Sequence, residues 1–332
     1  MKLTTIAALA AVGIVLLVAC GGSGTSSKLS VTFVSDVGGL NDKGYNEYTY
    51  LGMKQGASKV HATLHVIESS GPGDYVSNIS TGARESQLVV VAGPSMTDAM
   101  KQVSEEFRDR KFAIIDSSYD PPLPNVQGDV FAANQSSYLG GIVAAGISKT
   151  HVIGFVGGQQ IPALQDFLAG FEAGALAERP DIHIKVAWTG SFTDQQKGKE
   201  AALAEIAQGA DVIYTAAGAS GLGGIAAAQQ SHVWAIGVDQ DQHDVAPDTV
   251  VTSVVKHVDV AAADNVIAVS SGSWKPGTKQ FDLANDGVGL APYHNLASVV
   301  PASVQQAVQR AKQEIIAGKI SVPHQPPLPN GN

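Results

Sequence analysis

Four residues lie at the carboxyl ends of apolar segments of the sequence: Asp36, Asp116, Gly218 and Asp239. In open α/β sheets, ligands bind beyond the carboxyl ends of the strands. A carboxylate at such a place can accept two hydrogen bonds from vicinal hydroxyl groups of a ligand. The alternative for any single aspartate is that it caps the helix that follows. Because such residues occur in both halves of the chain, we expect them to share one site.

Two aromatic residues occupy comparable places in the sequence. Tyr45 lies near the end of the segment 35–47, SDVGGLNDKGYNE, which offers carboxylates, amides and backbone N–H groups at close range. Phe192 follows the apolar segment 182–188. An aromatic ring stacks on a flat ligand ring, so rings from opposite lobes would form a clamp. The alternative for Tyr45 is a tyrosine packed in the core.

One motif suggests a different function. The segment 221–226, GLGGIA, fits the dinucleotide-binding pattern, follows a predicted strand, and precedes Asp239 at the end of the next one. It lies late in the chain, however, and no hydride-transfer residues accompany it. An exported protein is also rarely supplied with a nicotinamide cofactor. We therefore predict no cofactor, and expect the glycines to allow close helix–strand packing and to expose backbone N–H groups to a ligand.

Signatures of catalysis or metal binding are weak elsewhere in the chain. His61 and His65 lack the H-E-x-x-H spacing, and the segment 239–244, DQDQHD, lacks the glycine and the terminal glutamate of a calcium loop. The G-x-S-x-G and Walker phosphate-loop motifs are absent from the sequence. We predict no metal site and no enzyme.

Short apolar runs alternate with longer helical segments from residue 29 onward. The runs are continuous rather than alternating, which is typical of parallel strands covered by helices on both faces. The pattern predicts a doubly wound α/β fold in two lobes. We assign 29–130 and about 250–290 to the first lobe, 131–249 and about 291–322 to the second, and 323–332 to a tail. The predicted strands are 29–36, 63–69, 87–93, 111–117, 151–157, 182–188, 211–217 and 233–239, with a further run at 250–256.

The overall charge excludes one class of partner. The formal net charge is −9, and charged residues make up 15% of the chain without a cluster of Lys or Arg. Nucleic acids and anionic lipid surfaces require a basic patch, so neither is a predicted partner. Hydrophobic residues make up 44% of the 332, which is enough for a sizeable core.

The first residues have the features of an export signal. Lys2 precedes an apolar run at 6–18 that is of signal-peptide length, so we assign 1–20 to a signal peptide. The sequence Leu-Val-Ala-Cys at 17–20 resembles a bacterial lipobox, which predicts lipidation of Cys20 and a membrane anchor. The glycine- and serine-rich segment 21–28 fits a flexible tether. The alternative is an ordinary signal peptide with a chance cysteine.

Several longer segments together resemble one family. They are SDVGGLNDKGYNE (35–47), SYLGGIVAA (137–145), IGFVGGQQIPALQDFLAGFEAG (153–174), GSFTDQQKGKEAA (190–202), DVIYTAAGASGLG (211–223), WAIGVDQDQ (234–242), TSVVKHVD (252–259) and GKISVP (318–323). In order and spacing, the chain resembles the basic membrane protein family of bacterial substrate-binding lipoproteins of ABC importers. The resemblance covers about 29–323.

The resemblance implies a type I periplasmic-binding fold with two Rossmann-like lobes and a ligand cleft between them. It further implies a purine nucleoside as ligand, an ABC permease as partner, a lipid-anchored extracytoplasmic location and a monomeric state. Residue by residue, it implies that Tyr45 and Phe192 stack on the base and that Asp116 binds the base edge. It implies that Asp239 and Lys256 hold the ribose hydroxyls beside the Gly218 backbone. Asp36, Asn41 and Asp42 would line the same cleft.

Two segments depart from the family pattern. Gly44 and Tyr45 stand where the family usually has Ser and Phe, and the segment 93–100 replaces a more hydrophobic, Phe-bearing version. These differences leave the ligand open. The alternatives are the same fold with a sugar or furanose-type signal as ligand, a surface sensor without a transport role, and an enzyme such as a nucleoside hydrolase or dehydrogenase.

Overall fold

The computed structural model describes residues 28–324. The predicted signal peptide, the predicted lipidation at Cys20, residues 21–27 of the predicted tether and residues 325–332 of the tail lie outside this range. Within it, no helix is long and apolar enough to cross a bilayer.

Strands and helices alternate along most of the described chain. The strands are β1 (Ser30–Val34), β2 (Thr63–Ile67), β3 (Leu88–Ala92), β4 (Lys111–Ile115), β5 (Val126–Phe131), β6 (Val152–Gly157), β7 (His183–Trp188), β8 (Val212–Ala216), β9 (Trp234–Asp239), β10 (Val250–Lys256), β11 (Gly277–Phe281) and β12 (Val288–Leu290). The helices are α1 (Tyr45–Lys59), α2 (Tyr75–Glu85), α3 (Thr97–Glu106), α4 (Ala133–Ile147), α5 (Pro162–Glu178), α6 (Gln195–Ala207), α7 (Ala219–Gln230), α8 (Val258–Ser271) and α9 (Ala302–Ile316).

The strands form two six-stranded sheets, one in each lobe. Their orders are β11-β5-β4-β3-β1-β2 and β12-β10-β9-β8-β6-β7. Every pairing is parallel except that of β10 with β12. The central strands β3 and β8 are buried at every position, whereas the edge strands β2 and β7 are partly exposed. The continuous Val- and Ile-rich runs follow from this burial on both faces, and the predicted α/β fold is confirmed.

The two lobes repeat the same arrangement. The strand order β2-β1-β3-β4-β5 in the first sheet corresponds to β7-β6-β8-β9-β10 in the second. Each segment after a strand in one lobe therefore has a counterpart in the other. The turns after β3 and β4 correspond to those after β8 and β9, which brings the predicted site residues to one edge of each sheet.

The chain crosses between the lobes at three places. After β5 it enters α4 of the second lobe at Ala132, and after β10 it returns to α8 of the first lobe at His257. It leaves again between β11 and β12. Backbone hydrogen bonds join these crossings: Ala132 N–H donates to the Phe281 carbonyl at 2.8 Å, and His257 N–H donates to the Gly287 carbonyl at 2.9 Å.

The prediction for the late segments was wrong in one respect. We assigned 250–290 to the first lobe, but β10 pairs with β9, and both β10 and β12 belong to the second sheet. Strands β5 and β11 are absent from the predicted set. The β11 segment, GTKQF, is exposed at three positions and carries no apolar run, so its place in the sheet depends on pairing with β5.

Candidate functional site

A cavity of about 170 Å³ lies between the lobes, at the carboxyl ends of the strands. On the same measure a water molecule needs roughly 10–15 Å³, so the space suits a small organic molecule. Eight of the predicted site residues line it: Asp36, Asp42, Tyr45, Asp116, Phe192, Gly218, Asp239 and Lys256. These residues come from several segments between positions 36 and 256 of the chain. The doubly wound fold brings the segments together at one edge of each sheet.

The backbone at the cleft is unusual in the same way in both lobes. Asp116 after β4 and Asp239 at the end of β9 have φ values of +64° and +66°. Gly93 after β3 and Gly218 after β8 have φ values of +105° and +56°. A positive φ costs a non-glycine residue about 1–3 kcal/mol and is common at ligand sites. The two carboxylates are therefore held at the cleft by the fold against their own backbone preference.

Lys256 connects the two carboxylates across the cleft. Its Nζ lies 2.6 Å from Oδ2 of Asp116 in the first lobe and 3.7 Å from Oδ1 of Asp239 in the second. The ammonium group also lies 4.9 Å from the ring centroid of Tyr45 and 5.1 Å from that of Phe167. Carboxylates and aromatic faces both stabilise a buried cation.

Burial and charge act in opposite directions in this group. Burial alone would lower the pKa of Lys256, but the carboxylates of Asp116 and Asp239 together outweigh it, and the pKa is raised. The ammonium group therefore keeps its proton. Burial raises the pKa of Asp239 to about 6, although Lys256 acts against this rise. Asp239 is thus a carboxylate at neutral pH and takes up a proton in mildly acidic solution.

The loop before α1 is organised by two aspartates and an asparagine. Asp42 accepts hydrogen bonds from the backbone N–H groups of Gly44, Asn46 and Glu47 at 2.9–3.0 Å, which caps α1. Asn46 Nδ2 donates to Oδ1 of Asp36 at 2.7 Å and to Oδ2 of Asp42 at 3.1 Å. Asp42 therefore shapes the cleft wall chiefly through helix capping.

The structure does not place Asn41 in the cavity. Asn41 is exposed and is not among the lining residues, whereas Asn46 is buried and lines the cavity. The reason is the start of α1 at Tyr45, which turns the next residue, Asn46, back toward Asp36. Asn41 therefore does not join the lining of the cavity, and the amide there comes from the first turn of the helix.

The two predicted aromatic residues are fixed by different contacts. The Tyr45 hydroxyl donates a hydrogen bond to the Ile115 carbonyl at 3.0 Å, directly before Asp116. Phe192 packs on Gly158, where any Cβ atom would overlap its ring. Phe167, from the second turn of α5, also lines the cavity and was not predicted. In the sequence, Phe167 has the spacing of an ordinary core residue.

The GLGGIA segment has one of the two roles that we expected, close packing, and not the other. It lies inside α7 rather than in the turn before it, so it exposes no turn N–H groups to the cavity. Gly223 packs against the Gln195 backbone of α6, and Gly221 and Gly224 pack against Thr215 of β8. The glycines thus allow close helix–helix and helix–strand contact. Gly218, just before α7, is the residue of this region that lines the cavity.

One buried side chain joins the lobes beside the cavity. Gln242 Nε2 in the second lobe donates to the Lys43 carbonyl in the first at 2.6 Å. Its Oε1 accepts from Val238 N–H at 2.9 Å, and its backbone N–H donates to Ser253 Oγ at 3.0 Å. We did not predict Gln242, although it falls in the segment 234–242.

Among the described residues, no group of three or more His, Cys, Asp or Glu side chains has the geometry of a metal site.

The fold is that of the solute-binding proteins of ABC transporters. A solute-binding protein from Aeropyrum pernix superposes with a TM-score of 0.84 at 24% identity, over 89% of this chain and 94% of that chain. A solute-binding protein from Conexibacter woesei gives a TM-score of 0.74 at 24% identity, over 89% and 99%. These similarities establish the fold.

The sequence identifies the family. Residues 29–326 match Bmp, described as "ABC transporter substrate-binding protein PnrA-like". The chain is 33% identical to the "CD4+ T-cell-stimulating antigen" of Listeria monocytogenes over 94% of this chain and 95% of that one. It is 32% identical to the "ABC transporter nucleoside-binding protein BmpA" of Lactococcus lactis over 97% and 99%. The chain therefore belongs to the Bmp family of ABC transporter substrate-binding proteins.

Family membership fixes the general activity. The chain is an extracytoplasmic binding protein that takes a small ligand to a permease, and it is not an enzyme. The predicted fold class and family are confirmed.

Proposed function

We propose that the chain binds a purine nucleoside in the cleft and delivers it to its permease while anchored to the membrane by a lipid on Cys20. The observation that carries the nucleoside proposal is the cavity itself, which combines aromatic rings with the Asp116–Lys256–Asp239 group. The Lactococcus relative, named as nucleoside-binding, supports the same ligand class.

The proposed ligand would use both kinds of lining residue. The base lies between the aromatic residues Tyr45 and Phe192, and the ribose hydroxyls donate to Asp239 and accept from Lys256. Asp116 is held by Lys256 through Oδ2, which leaves Oδ1 as an acceptor for the base. The backbone of Gly218 lies beside the ribose. A ligand without these hydroxyls would leave a buried carboxylate unpaired, which gives the site its specificity.

Binding requires the lobes to open and close about the three crossings, with no bond made or broken. The cavity is lined by residues of both lobes, so a ligand that contacts both walls favours the closed form. The hydrogen bond from Gln242 to Lys43 adds to the same closed form.

A thermal-shift screen of residues 21–332 tests the ligand. Inosine, guanosine or adenosine should raise the melting temperature by several degrees, because a ligand stabilises only the folded state, and ribose should not. Asp239→Ala should abolish the shift. A shift with sugars alone would overturn the nucleoside and favour a sugar or furanose ligand. No shift with any of them would favour a sensor.

Labelling tests the anchor separately. Cells that express the full chain should incorporate a radioactive fatty acid into the protein and retain it in the membrane fraction. Cys20→Ala should abolish both. A labelled, membrane-bound Cys20→Ala variant would show that another residue anchors the chain, and an unlabelled wild-type protein would show that none does.

A further inference from the structure

Part of the cavity lining combines Asp36, a predicted site residue to which no ligand atom was assigned, with two residues that were not predicted. Asp36, Tyr75 and Ser95 all belong to the first lobe and line the cavity. Tyr75 and Ser95 lie outside every segment that carried the family resemblance. Lys256, Asp239 and Phe192 belong to the second lobe, so a ligand held by those residues faces these side chains on the first-lobe wall.

Gly93 provides the space beside these side chains. It has a φ of +105°, and a Cβ atom at this position would lie 3.3 Å from Oδ2 of Asp36, 3.7 Å from Oγ of Ser95 and 3.5 Å from Cε1 of Tyr45. A carboxylate oxygen, a hydroxyl group and an aromatic edge therefore surround the bare α-carbon of Gly93. Only glycine leaves this space open, and only glycine adopts this backbone conformation without strain.

The Asp36 carboxylate is held by one oxygen and free at the other. Oδ1 accepts from Gly38 N–H at 2.8 Å and from Asn46 Nδ2 at 2.7 Å. Oδ2 has no hydrogen-bond donor among the described residues and faces the space beside Gly93. A carboxylate oxygen without a donor can accept a hydrogen bond from a ligand.

The two hydroxyl groups are also incompletely used. Tyr75 is buried, with a side chain only 4% exposed, and its hydroxyl lies 3.5 Å from Ser95 Oγ. That separation is at the long limit of a hydrogen bond, so each hydroxyl retains capacity for a ligand atom. Burial raises the pKa of Tyr75, so the hydroxyl keeps its proton and can donate.

We propose that Asp36, Tyr75 and Ser95 form a subsite that recognises a ligand N–H donor adjacent to a hydrogen-bond acceptor. Asp36 Oδ2 accepts from the N–H group, and the hydroxyls of Tyr75 and Ser95 donate to the neighbouring ligand atom. On the proposed function, on which this inference rests, the donor is an amino or ring N–H group of the base. The subsite therefore distinguishes among nucleosides that share the same ribose.

Matched ligand pairs and one isosteric variant test the subsite. The pairs differ in a single donor: guanosine and inosine, adenosine and purine riboside, inosine and 1-methylinosine. Wild-type protein should bind the donor-bearing member of at least one pair about tenfold more tightly, measured by calorimetry. Asp36→Asn keeps the Oδ1 acceptor for Gly38 and Asn46 but replaces Oδ2 with a donor. It should reduce that ratio to near one.

Further variants distinguish a specific loss of recognition from a general loss of folding. Tyr75→Phe and Ser95→Ala should each reduce the ratio by about two- to fivefold, since each removes a neutral hydrogen-bond donor. Asp98→Asn, at an exposed position on α3, should leave it unchanged.

Two results would overturn the subsite while leaving the nucleoside proposal intact. One is a wild-type ratio within twofold for every pair. The other is an equal loss for both members of each pair in Asp36→Asn, Tyr75→Phe and Ser95→Ala. If no nucleoside binds to wild-type protein at all, the proposed function fails together with the subsite.

Discussion

The two walls of the cleft have the same backbone plan and different chemistry. Equivalent strands end in Asp116 and Asp239, both with positive φ, and the preceding strands lead to Gly93 and Gly218. Yet the first lobe adds further acceptors, among them Asp36, whereas the second lobe adds apolar side chains. The apolar residues are Ile161, Leu164, Phe167, Phe192 and Val238.

The comparison separates the role of the backbone in this site from the role of the side chains. A shared backbone arrangement fixes where side chains can meet a ligand, and it does so twice. The side chains then differ, because the first wall adds the Asp36 carboxylate and the second adds most of the large apolar side chains. Lys256 belongs to the second wall but pairs most closely with Asp116 of the first, which makes the polar group depend on both lobes.

The largest effect is expected from removing the cation that the walls share. Lys256→Met leaves Asp116 and Asp239 buried without a partner, which should cost about 3–5 kcal/mol of unfolding free energy near neutral pH. The loss should shrink at pH 5, below the pKa of about 6 to which burial raises Asp239, because that carboxyl group then takes up a proton. Chemical denaturation at both pH values measures it.

A double variant separates charge from packing in that prediction. Lys256→Met combined with Asp116→Asn should regain much of the lost stability without regaining ligand binding. If Lys256→Met is as stable as wild type at pH 7.5, the ion pair is not a structural link between the walls.

A smaller effect is expected from Asp239, the counterpart of Asp116 in the second lobe. Asp239→Asn should weaken nucleoside binding by about 10- to 100-fold at pH 7.5, because a carboxylate acceptor is lost. Burial raises the Asp239 pKa to about 6, so wild-type affinity should fall as pH decreases through 6. Asp239→Asn should lose most of this dependence of affinity on pH. Calorimetric titrations from pH 5 to 8 measure it, and the same dependence in wild type and variant would contradict the role of Asp239 as the titrating acceptor.

Each lobe also buries one carboxyl group away from the cleft, and here the lobes differ again. In the first lobe, Asp129 accepts from Gln127 Nε2 at 2.7 Å and from Asn265 Nδ2 at 2.6 Å, and burial raises its pKa to about 7. In the second lobe, no side chain of the described residues donates to the carboxyl group of Glu205, and the backbone N–H groups of Phe155 and Ala187 lower its pKa only in part. Burial raises its pKa to about 8.

Both raised pKa values predict that stability falls as pH rises, and the contribution of Glu205 extends further, to about pH 8. Because the folded-state pKa of Glu205 lies above its unfolded value, the folded form binds more protons, and stability should fall as pH rises toward 8. Glu205→Gln should remove that part of the decrease, about 3–4 kcal/mol between pH 5 and pH 8, because each pH unit between the unfolded and folded pKa values costs about 1.4 kcal/mol. Glu200→Gln, at an exposed position on α6, is the control for denaturation curves at pH 5 and pH 8. Parallel pH dependence in all proteins would refute this assignment.

The smallest effect is expected at the direct contact between the lobes. Gln242→Glu keeps the acceptor for Val238 N–H but places a second oxygen against the Lys43 carbonyl. Nucleoside affinity should fall by about three- to tenfold through faster dissociation, since the closed form loses one hydrogen bond. Stopped-flow dissociation measures it, with the exposed Gln208→Glu as control. Unchanged dissociation would mean that the contact does not hold the lobes closed.

Local sequence was sufficient for most strands and for the strand-end residues. The runs at β3 and β8 are apolar because both faces are buried, and a pattern of that kind is visible without the structure. Helix α8 ends at Ser271, before Gly272, and glycine is the residue type that most often follows the last turn of a helix. Strand β11 escaped prediction because its residues are mostly exposed.

For the site, too, some residues could be chosen from the local sequence and others could not. Asp116 and Asp239 could be chosen because their place after a strand is a sequence property. The choice between Asn41 and Asn46 could not be made, because it depends on where α1 starts and which way its first turn faces. Phe167 and Tyr75 carry no local signal, since nothing in a sequence distinguishes a cavity wall from a core.

The sequence by itself determined the α/β class, the approximate positions of the strands and the residues at their carboxyl ends, because burial and strand geometry impose local patterns. The tertiary structure decided which lobe receives β10, how Lys256 pairs with Asp116 140 positions away, and which side chains face the cavity. These features arise from contacts between segments that are distant in the chain. No local pattern of residues encodes such contacts.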